Sequence, residues 1–256
     1  MDFSIIADNA GVFAEGMLVT VELVGCALIA GLALAVPLAL AANARSRPLR
    51  GAVFLFSYCF RGTPLLVQLF MIYYGLGQFE WIRGTPLWGP VLSQPYWCAL
   101  IAFTLNTAAY TTEILRGAIA NTPRGEVEAA RACGMSRALM LRRVVLPNAF
   151  RRALPAYGNE VIFMLHGSAV ASVITLVDIT GAAQLINARY YSPYEAFITA
   201  AVLYMALTFA VVFVFRCLER RWLAHLRPRV PRRGRSAAGA GDGKARDDAS
   251  QWQASG

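Results

Sequence analysis

The side chains able to do chemistry in this chain lie where hydrocarbon is expected. Arg61 sits about nine residues into an apolar run, roughly 13 Å deep at the helical rise. Glu160 lies about one turn into a later run, entered from the same side. An ionised group at such depth costs several kcal/mol unless it is paired or faces a cavity. Both side chains are long enough to meet, so the sequence predicts a structural intramembrane pair of Arg61 with Glu160. Asn106, His166 and Ser168 fall near mid-depth. There they either line a passage for a zwitterion or hydrogen-bond one helix to another. Asp178 and Glu22 belong to the outer half, as attractors of a cationic cargo or as charges at loop edges. Glu113, about a turn before Arg116, reads as a charge at a helix end.

None of these groups makes a catalytic set. Ser168 is two residues from His166, so on one helix their side chains point apart and cannot act as nucleophile and base. Asp178 is the single aspartate near a span, which excludes a two-aspartate site. An ion channel would carry a repeated selectivity loop, and none is visible. The cysteines at 26, 59, 98, 133 and 217 show no CxxC spacing, and the histidines are His166 and His225 alone. No catalytic residue, no metal site and no cofactor in this chain are expected.

The elements that carry these groups follow from composition. Of 256 residues, 57% are hydrophobic and 15% charged, and the mean hydropathy is +0.48. That is the make-up of an all-α integral membrane protein. Five apolar segments are predicted to span: 16–42, 52–77, 95–115, 156–179 and 194–217. The second is interrupted by Arg61-Gly62-Thr63-Pro64. Residues 1–15 form an N-terminal segment without the basic start of a cleaved signal peptide. A transmembrane domain covers 16–217, with a polar loop at 116–155 between the third and fourth spans, and 218–256 form a basic tail. After Pro231 that tail is glycine, alanine, serine and mixed charge, a composition that predicts disorder.

Orientation follows from the arginines. The net charge is +9. Arg45, Arg47 and Arg50, the series from Arg116 to Arg152, and Arg220, Arg221 and Arg227 all fall on one side, leaving Arg83 and Arg189 on the other. Positive charge stays inside, so the N-terminus is predicted outside and the C-terminus in the cytoplasm. Flanking apolar spans, these arginines suit membrane lipid and imply no nucleic-acid partner.

The polar loop holds a hairpin pattern. Thr122 is placed to cap a helix and Pro123 to occupy its first position. Gly134 sits where a left-handed terminator is needed, Ser136 can cap a second helix, and Pro147 is expected to interrupt it. Ala129 and Ala130 offer a bare surface to a partner's backbone, with Glu128 as a charged anchor.

Glu128-Ala129-Ala130, Gly134, Val144 and Leu146-Pro147 together resemble the EAA loop of the permease subunits of bacterial ABC importers. The resemblance covers roughly residues 12 to 228. It includes Tyr58-Cys59-Phe60-Arg61-Gly62-Thr63-Pro64-Leu65-Leu66-Val67-Gln68, the segment from Asn106 to Gly117, and Asn159-Glu160-Val161-Ile162. These stretches are similar to polar amino-acid permeases, in particular the branch that imports histidine, arginine, lysine or ornithine. Where many relatives carry a Lys-Thr-Ser-Leu-like run, this chain reads Leu165-His166-Gly167-Ser168-Ala169-Val170. A histidine there resembles the basic-amino-acid branch. A permease for another polar amino acid, such as glutamine or glutamate, is the alternative.

The resemblance implies a multi-pass protein of the bacterial inner membrane. Its partners would be two cytoplasmic ATPase subunits that bind ATP-Mg, a second permease (homologous or identical), and a periplasmic amino-acid-binding protein. Glu128, Ala129, Ala130, Gly134, Leu146 and Pro147 would couple to the ATPase. Gln68, Asn106, His166, Ser168, Asp178 and Glu22 would belong to the substrate pathway.

Overall fold

The computed structural model describes residues 4–86 and 88–222. They form helices, and no strand occurs among them. Helix α1, Ser4–Asp8, and α2, Ala10–Ala42, begin inside the segment expected to precede the first span. The tail predicted to be disordered lies outside the described residues from 223 onward. Its first residues instead continue the last helix as far as Trp222.

α2 is 33 residues long, about 50 Å at the helical rise. Thr20, Leu23, Ala27, Gly31, Ala35 and Ala39 recur every three or four positions and form its buried stripe. That stripe packs on α6, Pro95–Ala120, whose buried residues include Phe103, Thr107, Ala108, Thr111 and Leu115. Apolar side chains gain little by leaving lipid, so small residues that allow close backbone approach do the packing.

The second apolar segment is not one straight span. Helix α3, Arg47–Gly62, ends at the interruption, and α4, Leu65–Phe70, starts after it. The chain then runs through a π turn, Met71–Gly75, and a 3₁₀ turn, Leu76–Gln78. The axis bends by 104° between the two halves. Short helix α5, Glu80–Arg83, leads on to α6.

After α6 come α7, Arg124–Ala132, and α8, Arg137–Met140. A π turn, Leu141–Val145, joins α8 to α9, Leu146–Gly167. The fourth apolar segment is broken as well. A 3₁₀ stretch, Ser168–Ile174, ends at Thr175 in the left-handed region, φ 68°. Helix α10, Ile179–Tyr190, follows at a bend of 44°. The last helix is α11, Pro193–Trp222.

Among the described residues three helices, α2, α6 and α11, are long and apolar enough to cross a bilayer, and counting each bent pair as one span brings the number to five. The predicted five apolar segments are thus present, two of them as broken elements. α11 fully buries only Ala196 and Ala200 and exposes Phe209 and Phe213, as a helix with one face toward lipid does. Leu23, Leu69, Phe103, Met164 and Ile174 form the core where α2, α4, α6, α9 and the 3₁₀ stretch meet.

The tightest point of the α2–α6 crossing is Gly31, where a Cβ would stand 2.3 Å from Thr107 Cγ2. Gly31→Ala is expected to cost about 1–3 kcal/mol through this overlap. Gly25→Ala, with nothing within 4 Å, serves as the control. Thermal unfolding in detergent should show a lowered midpoint for the first variant alone.

Candidate functional site

The break in the second segment is built around one missing hydrogen. Pro64 has no N–H, so the Phe60 carbonyl loses its helical donor four residues on. Gln68 supplies a substitute: its Nε2 donates to Phe60 O at 2.7 Å, Thr63 O at 3.0 Å and Thr63 Oγ1 at 2.8 Å. Thr63 Oγ1 donates in turn to Cys59 O at 2.8 Å. From α6, Asn106 Nδ2 donates to Gln68 Oε1 at 3.0 Å. Two buried amides therefore close the end of α3 and fix its distance from α6.

That closure opens a cavity of about 730 Å³ between α3, α6 and α9, whose lining includes Arg61, Asn106, Tyr110, Asn159, Glu160 and Phe163. The Arg61 guanidinium lies over the Tyr110 ring at 5.2 Å, a cation–π contact. Glu160 is buried on the cavity wall. The predicted Arg61–Glu160 clasp is not closed. Among the described residues no ion pair within 4.0 Å joins them; Arg116 and Glu113 do form one, at 2.8 Å. A cation and a carboxylate, held apart on one cavity and flanked by amides, can receive the two charged ends of a small zwitterion.

Beyond the C-terminal end of α6 lies the hairpin. α7 starts at Arg124 with Pro123 as its flanking residue and no side-chain cap. Thr122 does not cap as predicted; its hydroxyl is buried without a partner. The helix stops at Gly134, φ +73°. There Gly134 N donates to Arg131 O at 2.9 Å and Met135 N to Ala130 O at 3.1 Å, the paired bonds of a Schellman end. Ser136 Oγ accepts from Leu139 N and starts α8. Pro147 does not interrupt the second helix. The π turn before it shifts Leu146 N onto Leu141 O, five residues back, so the chain reaches Pro147 without a break. Glu128 and Ala129 are exposed, whereas Ala130 is buried against its own chain.

The sequence profile of binding-protein-dependent transport system inner membrane components matches residues 27–224. The chain belongs to this family. Its members are multi-pass membrane subunits of ABC transporters and not enzymes, since a separate ATPase uses the ATP. The chain is similar to the histidine/lysine/arginine/ornithine transport system permease protein HisM of Salmonella typhimurium. The two are 45% identical over 211 residues, covering 82% of this chain and 90% of that one. It is also similar to the nopaline transport system permease protein NocM of Agrobacterium fabrum, 42% identical over 232 residues, 90% of this chain and 95% of that one. Among solved structures, an amino acid ABC transporter crystallised with histidines matches at a TM-score of 0.76 and 33% identity. That match covers 86% of this chain and 99% of the other.

Of the pathway candidates, Asn106 lines the cavity, and Gln68 stands behind it with its amide committed to the break. His166 and Ser168 are not among the cavity's lining residues. His166 Nε2 meets Thr208 Oγ1 of α11 at 3.0 Å, and Ser168 Oγ donates to Leu165 O at 2.7 Å. Asp178 is fully buried and caps α10: one oxygen accepts from Gly181 N at 2.7 Å, the other from Tyr204 Oη at 3.1 Å. Glu22 is exposed and accepts from Tyr96 Oη at 3.0 Å. The sequence reading missed Tyr110 and Asn159. Tyr110 follows Asn106 by four positions and so shares its helix face, a signal that was available. Asn159 carried none beyond its place beside Glu160.

Gln68→Leu keeps the bulk and removes the donors. It should cost about 1–3 kcal/mol, since Phe60 O keeps only the long 3.4 Å bond from Asn106 Nδ2 and Asn106 loses Gln68 as acceptor, read as a lower unfolding midpoint in detergent. An unchanged midpoint would deny the amide its structural role.

Proposed function

We propose that this chain is the membrane-spanning permease subunit of an ATP-driven importer of basic amino acids, arginine, lysine, ornithine or histidine. The observation that carries the reading is the 45% identity to the Salmonella typhimurium permease over 90% of that protein. In this reading the N-terminus is periplasmic, the C-terminus is cytoplasmic, and α7 faces the cytoplasm, which the arginine distribution supports. Residues 16–217 are the permease domain, and 116–155 its coupling loop. Two ATPase subunits bind ATP-Mg below it, a second permease copy or homologue pairs with it, and a periplasmic binding protein delivers the amino acid.

The exposed Glu128 and Ala129, with Gly134 terminating α7, form the dock for the ATPase. Glu128 makes no bond within the described residues, which leaves its carboxylate for a partner. Leu146 and Pro147 carry the motion into α9. The cavity receives the cargo, with its cationic end toward Glu160 and its carboxylate toward Arg61. Asn106 is the amide between them.

The test is uptake by proteoliposomes holding this permease, its partner permease, the ATPase and the binding protein. ATP-dependent uptake of labelled arginine, lysine, ornithine or histidine supports the reading. Uptake of glutamine or glutamate with none of these would overturn the substrate class. Glu160→Gln keeps the shape and removes the charge; arginine uptake below saturation should fall about tenfold, or about 1.4 kcal/mol, with the complex still assembled.

A further inference from the structure

The hairpin is tied to both walls of the cavity by side chains outside the EAA pattern. Asn148, in the first turn of α9, donates through Nδ2 to Glu126 in the first turn of α7. Its Oδ1 accepts from Arg152 Nε at 3.0 Å, one turn further along α9. Arg152 Nη1 reaches the carbonyl of Asn121, the capping residue of α6, at 3.5 Å. One amide thus joins the first turns of α7 and α9, and one guanidinium joins α9 to the end of α6.

We propose that Glu126, Asn148 and Arg152 are positioning residues that transmit movement of α7 to α6 and α9, an inference that rests on the importer reading above. The geometry suits transmission. Only Asn121, Thr122 and Pro123 separate α6 from α7, and Pro123 fixes its own φ at −57°. Ala130 is the one residue of α7 that is buried, so little else holds the helix to the chain. Upward from the node, α9 runs without a break to Glu160, about 18 Å away, and α6 runs to Asn106, about 22 Å away. Displacement of α7 therefore moves the Asn106 wall and the Glu160 wall as one body. Glu126 and Glu128 are both exposed, and two residues apart they project from nearly opposite sides of the short helix, so Glu126 bonds Asn148 while Glu128 stays open to a partner.

Asn148 is used at both ends of its amide, which gives a specific exchange test. Asn148→Asp sets two carboxylates against each other at Glu126. Adding Glu126→Gln restores donor and acceptor with their roles reversed and leaves Arg152 its acceptor. In proteoliposomes with ATPase and binding protein, N148D should keep the ATPase bound and hydrolysing while amino acid moved per ATP falls about fivefold, within the range for residues on a coupling route. The double variant should recover to within about twofold of wild type.

A second readout needs no ATPase. Spin labels at Cys133 and at Arg151→Cys, with the other cysteines replaced by serine, report the α7–α9 distance in the detergent-purified permease. The distribution should be narrow in wild type, broad in N148D and narrow again in the double variant. No broadening in N148D, or unchanged coupling despite it, would overturn the proposal. Absence of any ATPase complex with wild-type permease would instead overturn the importer reading, and the distance data would still judge the tether.

Discussion

Inside a bilayer no water is available to a stranded carbonyl or amide, and that constraint governs the structure around the cavity. Pro64 removes the donor that Phe60 O needs, and the chain bends by 104° at that point. A bend of this size is stable only because Gln68 and Asn106 supply donors from the adjoining elements. The same two amides set the distance between α3 and α6 and leave Arg61 facing the space that opens. The cavity is thus a consequence of satisfying one carbonyl.

The other irregularities also keep their backbone groups paired. The π turn before α9 lets the chain accept Pro147, since Leu146 bonds five residues back. At the second break, Thr175 adopts a left-handed conformation that a β-branched residue takes only at a cost of roughly 1–2 kcal/mol. Asp178 offsets that cost locally. It caps α10, binds Tyr204 of α11, and lies where Gly16 of α2 allows its backbone to approach, since a Cβ at Gly16 would stand 2.7 Å from Asp178 O. The buried Asp178 carboxyl joins α10 to α11 and its backbone packs on α2, without contact to the cavity.

The existence and order of the apolar elements were legible in the sequence because twenty consecutive apolar residues have few other uses. The end of α7 was legible too, since a glycine at that spacing has one conformational advantage and Gly134 uses it. The breaks were less so. Arg61-Gly62-Thr63-Pro64 marked an interruption, but its sharpness depends on Gln68 and Asn106, partners far apart in the chain. Thr122 reads locally as a cap, yet Pro123 takes the flanking position and leaves no role for its hydroxyl. Depth along a helix could be counted, and it brought Arg61 and Glu160 to the same level, where both line the cavity. Azimuth could not, which is why His166 turned to α11 and Arg61 stacked on Tyr110 instead of closing on Glu160.

The most direct measurement is co-purification of the detergent-solubilised permease with its cognate ATPase, wild type beside Glu128→Arg. Glu128 is exposed and makes no bond within the described residues, so charge reversal should leave insertion and folding intact. The account predicts that wild type carries the ATPase through purification and that the variant, equally well folded, loses it. An ATPase bound as firmly to the variant as to wild type would contradict the assignment of α7 as the dock.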